Sequence, residues 1–418
     1  MKRIEVIADF DYLDSPKRIG ELGYDRIRGN ASYSFEYETS WLDKAKIELS
    51  ADLDGFSGVQ HKSGDIFLFL ADALPDRWGR RLIDKREMII AEKEKRIPRT
   101  FNDFDYLVQV DDLSRMGGLR FCMDDEFLGT ANNGMPVPPV AGLREFVDIA
   151  SKYEQLDKNG KMPDEKWLDN VLMQGSSLGG ARPKANVIDE DGHLCIAKIP
   201  SINDDYDIAL WEHFAHCLAK KAGIDAAETR LLRLDGVKYH TMLSRRFDRS
   251  NDNRRIHFAS AMTLAGLSDG ADAESGHGYM DIADILFGDA GVSEPENEVK
   301  ELYRRIAFNI CIGNHDDHFR NHGFLLGKRG WKLSPAYDMN PTNYMTQSLL
   351  VSSESNESSL GLLIESSDSY MIERSEAESI VKEVKDAMKH WREVATVCGI
   401  SKTEQGRFAR RLDWAVVD

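Results

Sequence analysis

The sequence predicts an α+β fold with two lobes, in which a sheet-rich half is followed by a mostly helical half. Three observations support this prediction. Aromatic and β-branched runs, "SYSFEYETSWL" and "GDIFLFLADALP", precede a Gly-, Asn- and Pro-rich stretch, "ANNGMPVPPVAG". Two further strand-like runs then flank an Asp-Gly turn. From about Ser260 onward the pattern is mostly helical.

The Gly-, Asn- and Pro-rich stretch at 131–142 is typical of a linker, so residues 1–130 are predicted to form an N-terminal mixed α/β domain. Residues 143–249 are predicted to form the sheet-containing lobe. They hold a glycine-rich loop and two strands in "GSSLGGARPKANVIDEDGHLCIAKIP", a helix in "IALWEHFAHCLAKKAG", and a return strand in "YHTMLSRRFDR".

Residues 250–418 are predicted to form the helical lobe. In "RSEAESIVKEVKDAMKHW", at 374–391, Ser375 and Glu378 have the spacing of a capping box. The residues predicted to form the apolar face of this helix are Ile380, Val384, Met388 and Trp391.

Composition limits the class of protein. The chain has 418 residues, is 42% hydrophobic and contains no uninterrupted apolar segment long enough for a membrane span. The start, "MKRIEVIADFDYLD", becomes acidic where a signal peptide needs apolar residues, which predicts a cytoplasmic protein. A net charge of -17 argues against autonomous DNA binding. The cysteines form no C-x-x-C pair and are predicted to be buried apolar residues rather than disulfides or zinc ligands: Cys122, Cys195, Cys217, Cys311 and Cys398.

The segment 312–326, "IGNHDDHFRNHGFLL", concentrates polar chemistry between apolar flanks. Asp316 and Asn321 have the spacing of the Asp and Asn in the kinase catalytic loop H-R-D-x-x-x-x-N. In that loop the Asp accepts or orients the substrate hydroxyl proton and the Asn binds Mg²⁺. Asp338, in "WKLSPAYDMNP", is a candidate for a second magnesium ligand.

Further parts of a phosphoryl-transfer site occur upstream in kinase order. Gly179 and Gly180 in "SLGGARPK" would let backbone N–H groups approach phosphate oxygens, although a glycine pair in an ordinary turn is the simpler alternative. Lys198 on the second strand could bind phosphate or protect a sheet edge. Glu212 on the next helix could pair with Lys198 or lie on a solvated helix face.

Two other classes of function stay open. A metal-dependent phosphohydrolase would use His315 and Asp316 with an upstream histidine such as His240, His257 or His277, but it leaves the glycine loop and Lys198 unexplained. A pseudokinase would bind nucleotide without transferring phosphate. The five parts in kinase order favour the kinase, with His318 predicted to orient the catalytic loop.

Several segments together resemble the HipA family of bacterial serine/threonine kinase toxins from toxin–antitoxin systems. "SFEYETSWL", "FLFLADALPDRWGRRL" and "SRMGGLRF" resemble its N-terminal domain. The segments that resemble the kinase core of the family are "SLGGARPKANV", "AKIP", "RRFDR", "GNHDDHFRNHGF" and "LSPAYDMNP". The resemblance implies a two-lobed, protein-kinase-like fold.

The resemblance also implies roles for individual residues. Asp316 matches the proton acceptor, Asn321 and Asp338 the magnesium ligands, and Lys198 the nucleotide-phosphate lysine. Ser177 matches a serine that family members autophosphorylate, with Ser176 as a second candidate. The residues implied to contact ATP are Gly179, Gly180, Ala181, Arg182, Pro183, Lys184, Lys198, Glu212, Arg245, Arg246, Phe247, His318, Asn321, Tyr337 and Asp338, with 245–247 acting mainly through backbone groups as the adenine-side hinge.

The function that follows is an ATP- and Mg²⁺-dependent protein serine/threonine kinase. The resemblance further implies a toxin that phosphorylates a translation component, of the aminoacyl-tRNA synthetase class. It implies a helix-turn-helix antitoxin as partner, through which the chain would reach DNA only indirectly.

Overall fold

The computed structural model describes residues 2–43, 49–130, 137, 139–161, 182–288 and 290–417. They form two compact units. The first unit contains 1–205 and 232–258, and the second contains 206–231 and 259–418. The first unit thus joins segments predicted as the N-terminal domain and as the sheet-containing lobe, and the boundaries drawn between those two domains stay predictions. Gly179, Gly180 and Ala181 of the glycine loop, with Ser176 and Ser177, lie outside the described residues.

Antiparallel sheets form much of the first unit. A six-stranded sheet has the order β4-β3-β2-β1-β5-β6, and a four-stranded sheet has the order β7-β8-β10-β9. Along the chain the strands are β1 (Lys2–Ala8), β2 (Lys17–Ile27), β3 (Asn30–Tyr37), β4 (Val59–Ser63), β5 (Leu119–Met123), β6 (Glu126–Phe127), β7 (Lys184–Ile188), β8 (Leu194–Lys198), β9 (Thr229–Leu232), β10 (Thr241–Arg245), β11 (His257–Ser260), β12 (Gly323–Gly327) and β13 (Gly330–Leu333). The predicted strand pair with its Asp-Gly turn and the return strand are confirmed.

Helices carry most of the second unit. Along the chain the α-helices are α1 (Thr39–Leu42), α2 (Arg77–Lys93), α3 (Asp103–Leu107), α4 (Leu143–Lys158), α5 (Ile208–Lys221), α6 (Ala261–Leu264), α7 (Tyr279–Phe287), α8 (Pro295–Ile312), α9 (Leu360–Glu365), α10 (Arg374–Met388), α11 (Trp391–Val397), α12 (Lys402–Gln405) and α13 (Ala409–Val417). Short 3-10 helices are Leu68–Ala73, Val140–Gly142, Ala273–Ser275, Phe319–Asn321 and Ser367–Tyr370. Within the described ranges, no helix combines the length and apolarity needed to cross a bilayer.

A hydrophobic core in the first unit covers one face of the four-stranded sheet. Apolar residues of α2 and α4 pack against alternate residues of β7 and β8, including Val187 and Ala197. Because successive strand residues point to opposite faces, Lys198 faces away from this helical layer. One face of the sheet is therefore packed against helices, and Lys198 projects from the opposite face.

Two details of the predicted elements are wrong. The run "GDIFLFLADALP" forms the 3-10 helix Leu68–Ala73 rather than a strand. The apolar run lacks the alternation that a half-buried strand needs, and the rings of Phe67 and Phe69 pack against Phe35 instead. The helix predicted at 374–391 ends at Met388 and begins without a capping box, because Glu373 is its N-cap residue and Ser375 lies inside its first turn.

The cysteines divide into two groups. Cys122, Cys195 and Cys311 are buried, as predicted. Cys217 and Cys398 are only half-buried and lie together beside a histidine, so the prediction is wrong for this pair. Cys217 and Cys398 are far apart in the sequence, so their proximity could not be predicted from it. Packing of the helices brings the two residues together.

Candidate functional site

The candidate catalytic loop starts where α8 ends. Gly313 terminates the helix with a φ of 67°, and the Asn314 N–H donates to the Asn309 carbonyl oxygen at 2.9 Å. A Cβ at position 313 would lie 2.6 Å from the carbonyl oxygen of Thr342, so glycine is required there. The loop therefore leaves directly from the end of a buried helix.

The two adjacent aspartates of the loop have opposite environments. Asp316 is exposed, whereas Asp317 is 2% exposed. The Oδ2 atom of Asp317 accepts hydrogen bonds from the Tyr279 hydroxyl at 2.7 Å, Asn309 Nδ2 at 2.7 Å and His322 Nε2 at 3.0 Å. The buried carboxylate thus anchors the loop and leaves its neighbour, Asp316, facing solvent.

The ionisation of Asp317 follows from these contacts. Burial by itself raises the pKa of the Asp317 carboxyl. The charge of His322 and the hydrogen bonds from His322 and Tyr279 outweigh burial and hold the pKa below its ordinary value. The anchor is therefore a carboxylate near neutral pH.

Asn321 lies on the same turn as Asp316. Its Nδ2 donates to the Asp316 carbonyl oxygen at 2.9 Å, and its backbone N–H donates to the His318 carbonyl oxygen at 2.8 Å. The first bond uses the amide donor of Asn321, so its amide oxygen keeps the acceptor character that a magnesium ligand needs. The His318 carbonyl oxygen thus contacts the turn, while the buried His318 ring Nδ1 has no hydrogen-bond partner among the described residues. The role of His318 in orienting the loop stays a prediction.

The stretch that contains Asp338 returns to this loop. Strands β12 and β13 form an antiparallel hairpin between the two segments. The Tyr337 hydroxyl donates to the carbonyl oxygen of Arg320. Because Tyr337 precedes Asp338 and Arg320 precedes Asn321, this bond holds the two predicted magnesium ligands on neighbouring stretches. Asp338 has a φ of 58°, a strained conformation that is concentrated at functional sites.

A chain of asparagines also connects the two stretches. Asn309 Nδ2 donates to Asp317, Asn314 Nδ2 donates to Asn309 Oδ1 at 3.2 Å, and the Asn340 N–H donates to Asn314 Oδ1 at 3.2 Å. Asn340 Nδ2 then lies 3.5 Å from Asp338 Oδ1. This network was not predicted from the sequence. Its signal was an asparagine in the middle of the otherwise apolar run "IAFNICI" of α8.

Glu212 is buried on α5, at 3% exposure. Its Oε1 lies 3.9 Å from Nε2 of His216, one turn further along the helix. The alternative of a solvated helix face is therefore wrong, because the Glu212 side chain is almost completely excluded from solvent. The predicted pairing of Glu212 with Lys198 stays a prediction.

Lys198 lies on an interior strand. Strand β8 pairs with β7, where Lys184 is opposite Lys198, and with β10, where Met242 is opposite Lys198. The alternative of a lysine that protects a sheet edge is therefore wrong. A half-buried lysine on an interior strand fits a functional position better.

The residues that follow the glycine loop have partners inside the first unit. Lys184 is buried, and its Nζ lies 3.3 Å from Asp76 Oδ2. The same aspartate caps α2 by accepting the Gly79 N–H at 2.6 Å. Arg182 forms an ion pair with Asp204, and Pro183 is buried. The side chains of Lys184 and Arg182 thus brace the base of the predicted loop, and their contact with ATP stays a prediction.

Arg246 of the predicted hinge is a buried crosslink. Its guanidinium donates to Asp248 at 2.6 and 2.8 Å and to the Ser114 carbonyl at 2.6 Å. Burial raises the pKa of the Asp248 carboxyl, but Arg246 and Arg249 outweigh burial and hold that pKa well below its ordinary value. Because its side chain makes these contacts, Arg246 would contact other groups through its backbone. Its backbone N–H donates to the Leu194 carbonyl oxygen at 3.0 Å.

The neighbours of Arg246 have simpler surroundings. Arg245 Nη2 donates to Asn251 Oδ1 at 2.7 Å near the surface. The Phe247 ring lies 6.1 Å from the ring of Phe258. Both residues stay predicted contacts of the adenine side.

The geometry disfavours the phosphohydrolase alternative. His315 Nδ1 donates to the Thr346 carbonyl at 2.8 Å, and its ring stacks on Tyr344 at 4.4 Å. Where the structure is described, two groups of side chains could hold a metal through histidine, cysteine or carboxylate atoms, and neither includes His315 or Asp316. The histidine of this pair is oriented by packing rather than by a ligand set.

Comparison with known proteins identifies the family. The HipA N-terminal domain matches residues 12–110, and the HipA-like C-terminal domain matches residues 176–391, just over half of the chain. The chain belongs to the HipA-like family. The resemblance drawn from the motifs is thereby confirmed.

The relatives differ in how much of their length they share. A putative kinase of Haemophilus influenzae is 30% identical over 185 residues, which are 40% of this chain and 52% of that protein. This match thus spans about half of the relative. The serine/threonine-protein kinase toxin HipA of Shewanella oneidensis is 23% identical over 349 residues, which are 77% of this chain and 72% of that protein.

A solved structure confirms the fold class. HipA of Shewanella oneidensis MR-1, solved in a complex with HipB and its operator DNA, superposes with a TM-score of 0.71 at 18% identity. The superposition covers 99% of this chain and 96% of that one. The predicted α+β fold of the kinase-like HipA type is confirmed.

Proposed function

We propose that the protein is an ATP- and Mg²⁺-dependent protein serine/threonine kinase. The observation that carries the proposal is the geometry of the loop at 313–322. Exposed Asp316 follows a buried helix and precedes the anchored carboxylate of Asp317. Asn321 is bonded to the backbone of Asp316, and the stretch with Asp338 is bonded to the same loop through Tyr337.

Each residue then has a chemical task. The Asp316 carboxylate would orient a substrate hydroxyl and accept its proton as the oxygen attacks phosphorus. Lys198 would neutralise phosphate charge from its interior strand, with Glu212 as its proposed carboxylate partner. Oxygen atoms of Asn321 and Asp338 are the hard ligands that Mg²⁺ prefers, and the orientation of the Asn321 amide fits that use. Bound Mg²⁺ would offset the charge of the phosphate oxygens.

The family supports a more specific proposal. We propose that the chain acts as the toxin of a toxin–antitoxin pair and phosphorylates a translation component of the aminoacyl-tRNA synthetase class. The Shewanella relative is named a kinase toxin and was solved with HipB and operator DNA. A helix-turn-helix antitoxin is accordingly the proposed partner, and contact with DNA would be indirect. Ser177, or Ser176 beside it, is the proposed autophosphorylation site.

Incubation of the purified protein with Mg²⁺ and γ-labelled ATP tests the activity. We expect label on the protein, mapped by peptide mass spectrometry to Ser177 or Ser176, and none with Asp316→Asn. The matched control is Asp386→Asn, which removes an exposed carboxylate on α10 and should label like the wild type.

Two results would count against the proposal. Equal labelling of Asp316→Asn and wild type would remove Asp316 from the chemistry. ATP binding without labelling, and without transfer to any protein of a cell extract, would favour the pseudokinase alternative.

A further inference from the structure

A histidine and two cysteines meet in the second unit, far along the chain from the candidate catalytic loop. His213 and Cys217 lie one turn apart on α5, and Cys398 follows the end of α11. A ring nitrogen of His213 and the two sulfur atoms all lie within 4.8 Å of one another. All three side chains are half-buried, so the cluster is accessible to small solutes.

The separation of the His213 and Cys217 ligand atoms matches an edge of a tetrahedral metal site. Zinc bonds are about 2.0–2.1 Å to histidine nitrogen and about 2.3 Å to cysteine sulfur, so the N···S edge of a tetrahedron is about 3.6 Å. The observed separation of His213 Nε2 and Cys217 Sγ is 3.6 Å. A simple Cys–His hydrogen bond could have this length too, but it would not require Cys398 beside it.

The orientation of the histidine is a second, independent observation. His213 Nδ1 lies 2.8 Å from the Thr229 hydroxyl oxygen. When Nδ1 donates its proton to that oxygen, Nε2 faces Cys217 with its lone pair. Metal-bound histidines almost always have such an outer hydrogen bond, which sets the tautomer and the angle of the ring.

We propose that His213, Cys217 and Cys398 form a zinc-binding site with a fourth position open to water. Binding converts both thiols to thiolates and releases their two protons, so the site carries no net charge with Zn²⁺ bound. Thiolate and imidazole ligands select Zn²⁺ over Mg²⁺, which prefers oxygen. This site and the proposed magnesium site would therefore not compete for the same ion.

Occupancy would join two elements of the second unit. Helices α5 and α11 pack against each other, and the ion would bridge them through side chains from both. Glu212, the proposed partner of Lys198, directly precedes His213 on α5. A bound ion would thus restrict the helix that carries this buried glutamate, although the zinc proposal does not depend on kinase activity.

Cobalt and zinc titration of the full-length, reduced, metal-free protein tests the site. We expect one Co²⁺ per chain, with thiolate-to-cobalt charge-transfer absorption that Zn²⁺ abolishes and excess Mg²⁺ does not. Cys217→Ser and Cys398→Ser should lose this absorption, whereas the control Cys122→Ser, which alters a buried thiol of the first unit, should keep it. Thr229→Val should weaken binding by about 10–100-fold, as loss of an outer hydrogen bond does.

Circular dichroism of the metal-free variants separates misfolding from loss of ligands. Wild-type affinity and absorption in both folded cysteine variants would overturn the proposal. So would a Cys217–Cys398 disulfide that forms in air while the reduced protein binds no Co²⁺, since the pair would then be a redox pair. Loss of the absorption in both variants at wild-type helicity supports the site.

Discussion

Replacement of Asp317 by asparagine tests whether Asp317 anchors the loop independently of the proposed catalytic residue, Asp316. The substitution Asp317→Asn keeps the shape of the side chain and removes its charge. Asp317 accepts three hydrogen bonds from buried donors on Tyr279, Asn309 and His322. The comparison substitution is Asp316→Asn, one residue earlier, where the carboxylate is exposed.

The magnitude follows from the type of hydrogen bond. A hydrogen bond to a charged group contributes about 1.5–3 kcal/mol, and one between neutral groups contributes about 0.5–1.5 kcal/mol. An amide oxygen at the Oδ2 position converts three bonds from the first class to the second, which removes about 3–4.5 kcal/mol from the free energy of unfolding of the second unit. Asp316→Asn should change that free energy by less than about 0.5 kcal/mol, as is usual on a surface.

Native-state hydrogen exchange of the α8 amides measures this free energy for the second unit alone. We expect faster exchange in Asp317→Asn and unchanged exchange in Asp316→Asn. Phosphate transfer from γ-labelled ATP should fall in both variants, for different reasons. Wild-type exchange in Asp317→Asn, or equal acceleration in both variants, would refute the view that Asp317 is the structural member of the pair.

Three further predictions concern other residues of the two units. Asp248→Asn should destabilise the first unit near pH 7 and less so toward about pH 3. The Asp248 pKa lies below its ordinary value of 3.8, so the contribution of its charge to stability is full above about pH 5 and is lost as the pH falls through the lowered pKa. Urea unfolding across this pH range measures the change. Lys198→Met should abolish transfer of labelled phosphate yet keep the thermal midpoint, because methionine preserves the packing of the lysine stem; transfer at the wild-type rate would exclude Lys198 from the chemistry. Asp338→Ala and Asp338→Gly should both lose phosphate transfer and growth inhibition in cells. In denaturant unfolding the glycine variant should be more stable than the alanine variant by about 0.5–1 kcal/mol, because glycine adopts a φ of 58° without strain. Equal stabilities of the two variants would argue against that strain.

Local patterns in the sequence predicted much of the candidate site and of the elements that carry it. The interval from Asp316 to Asn321 and the position of Lys198 between apolar neighbours point to the proposed phosphoryl-transfer site, because order and spacing can be read within a few residues of chain. The strands around the Asp-Gly turn and helix α5 followed from period and turn residues for the same reason. The run "GDIFLFLADALP" failed because a continuous apolar segment has no period, and its conformation depends on the rings that it meets.

Tertiary structure decided which polar groups are buried and with what partners. Asp316 and Asp317 are chemically identical in sequence, and only the packing of α7 and α8 makes one a buried anchor and the other an exposed carboxylate. Arg246 reaches Ser114, and Cys398 reaches Cys217, across long stretches of chain. The sequence by itself determined the order of the candidate site residues. Their charge states and partners required the fold, because desolvation and hydrogen bonding depend on neighbours in space, which sequence separation does not specify.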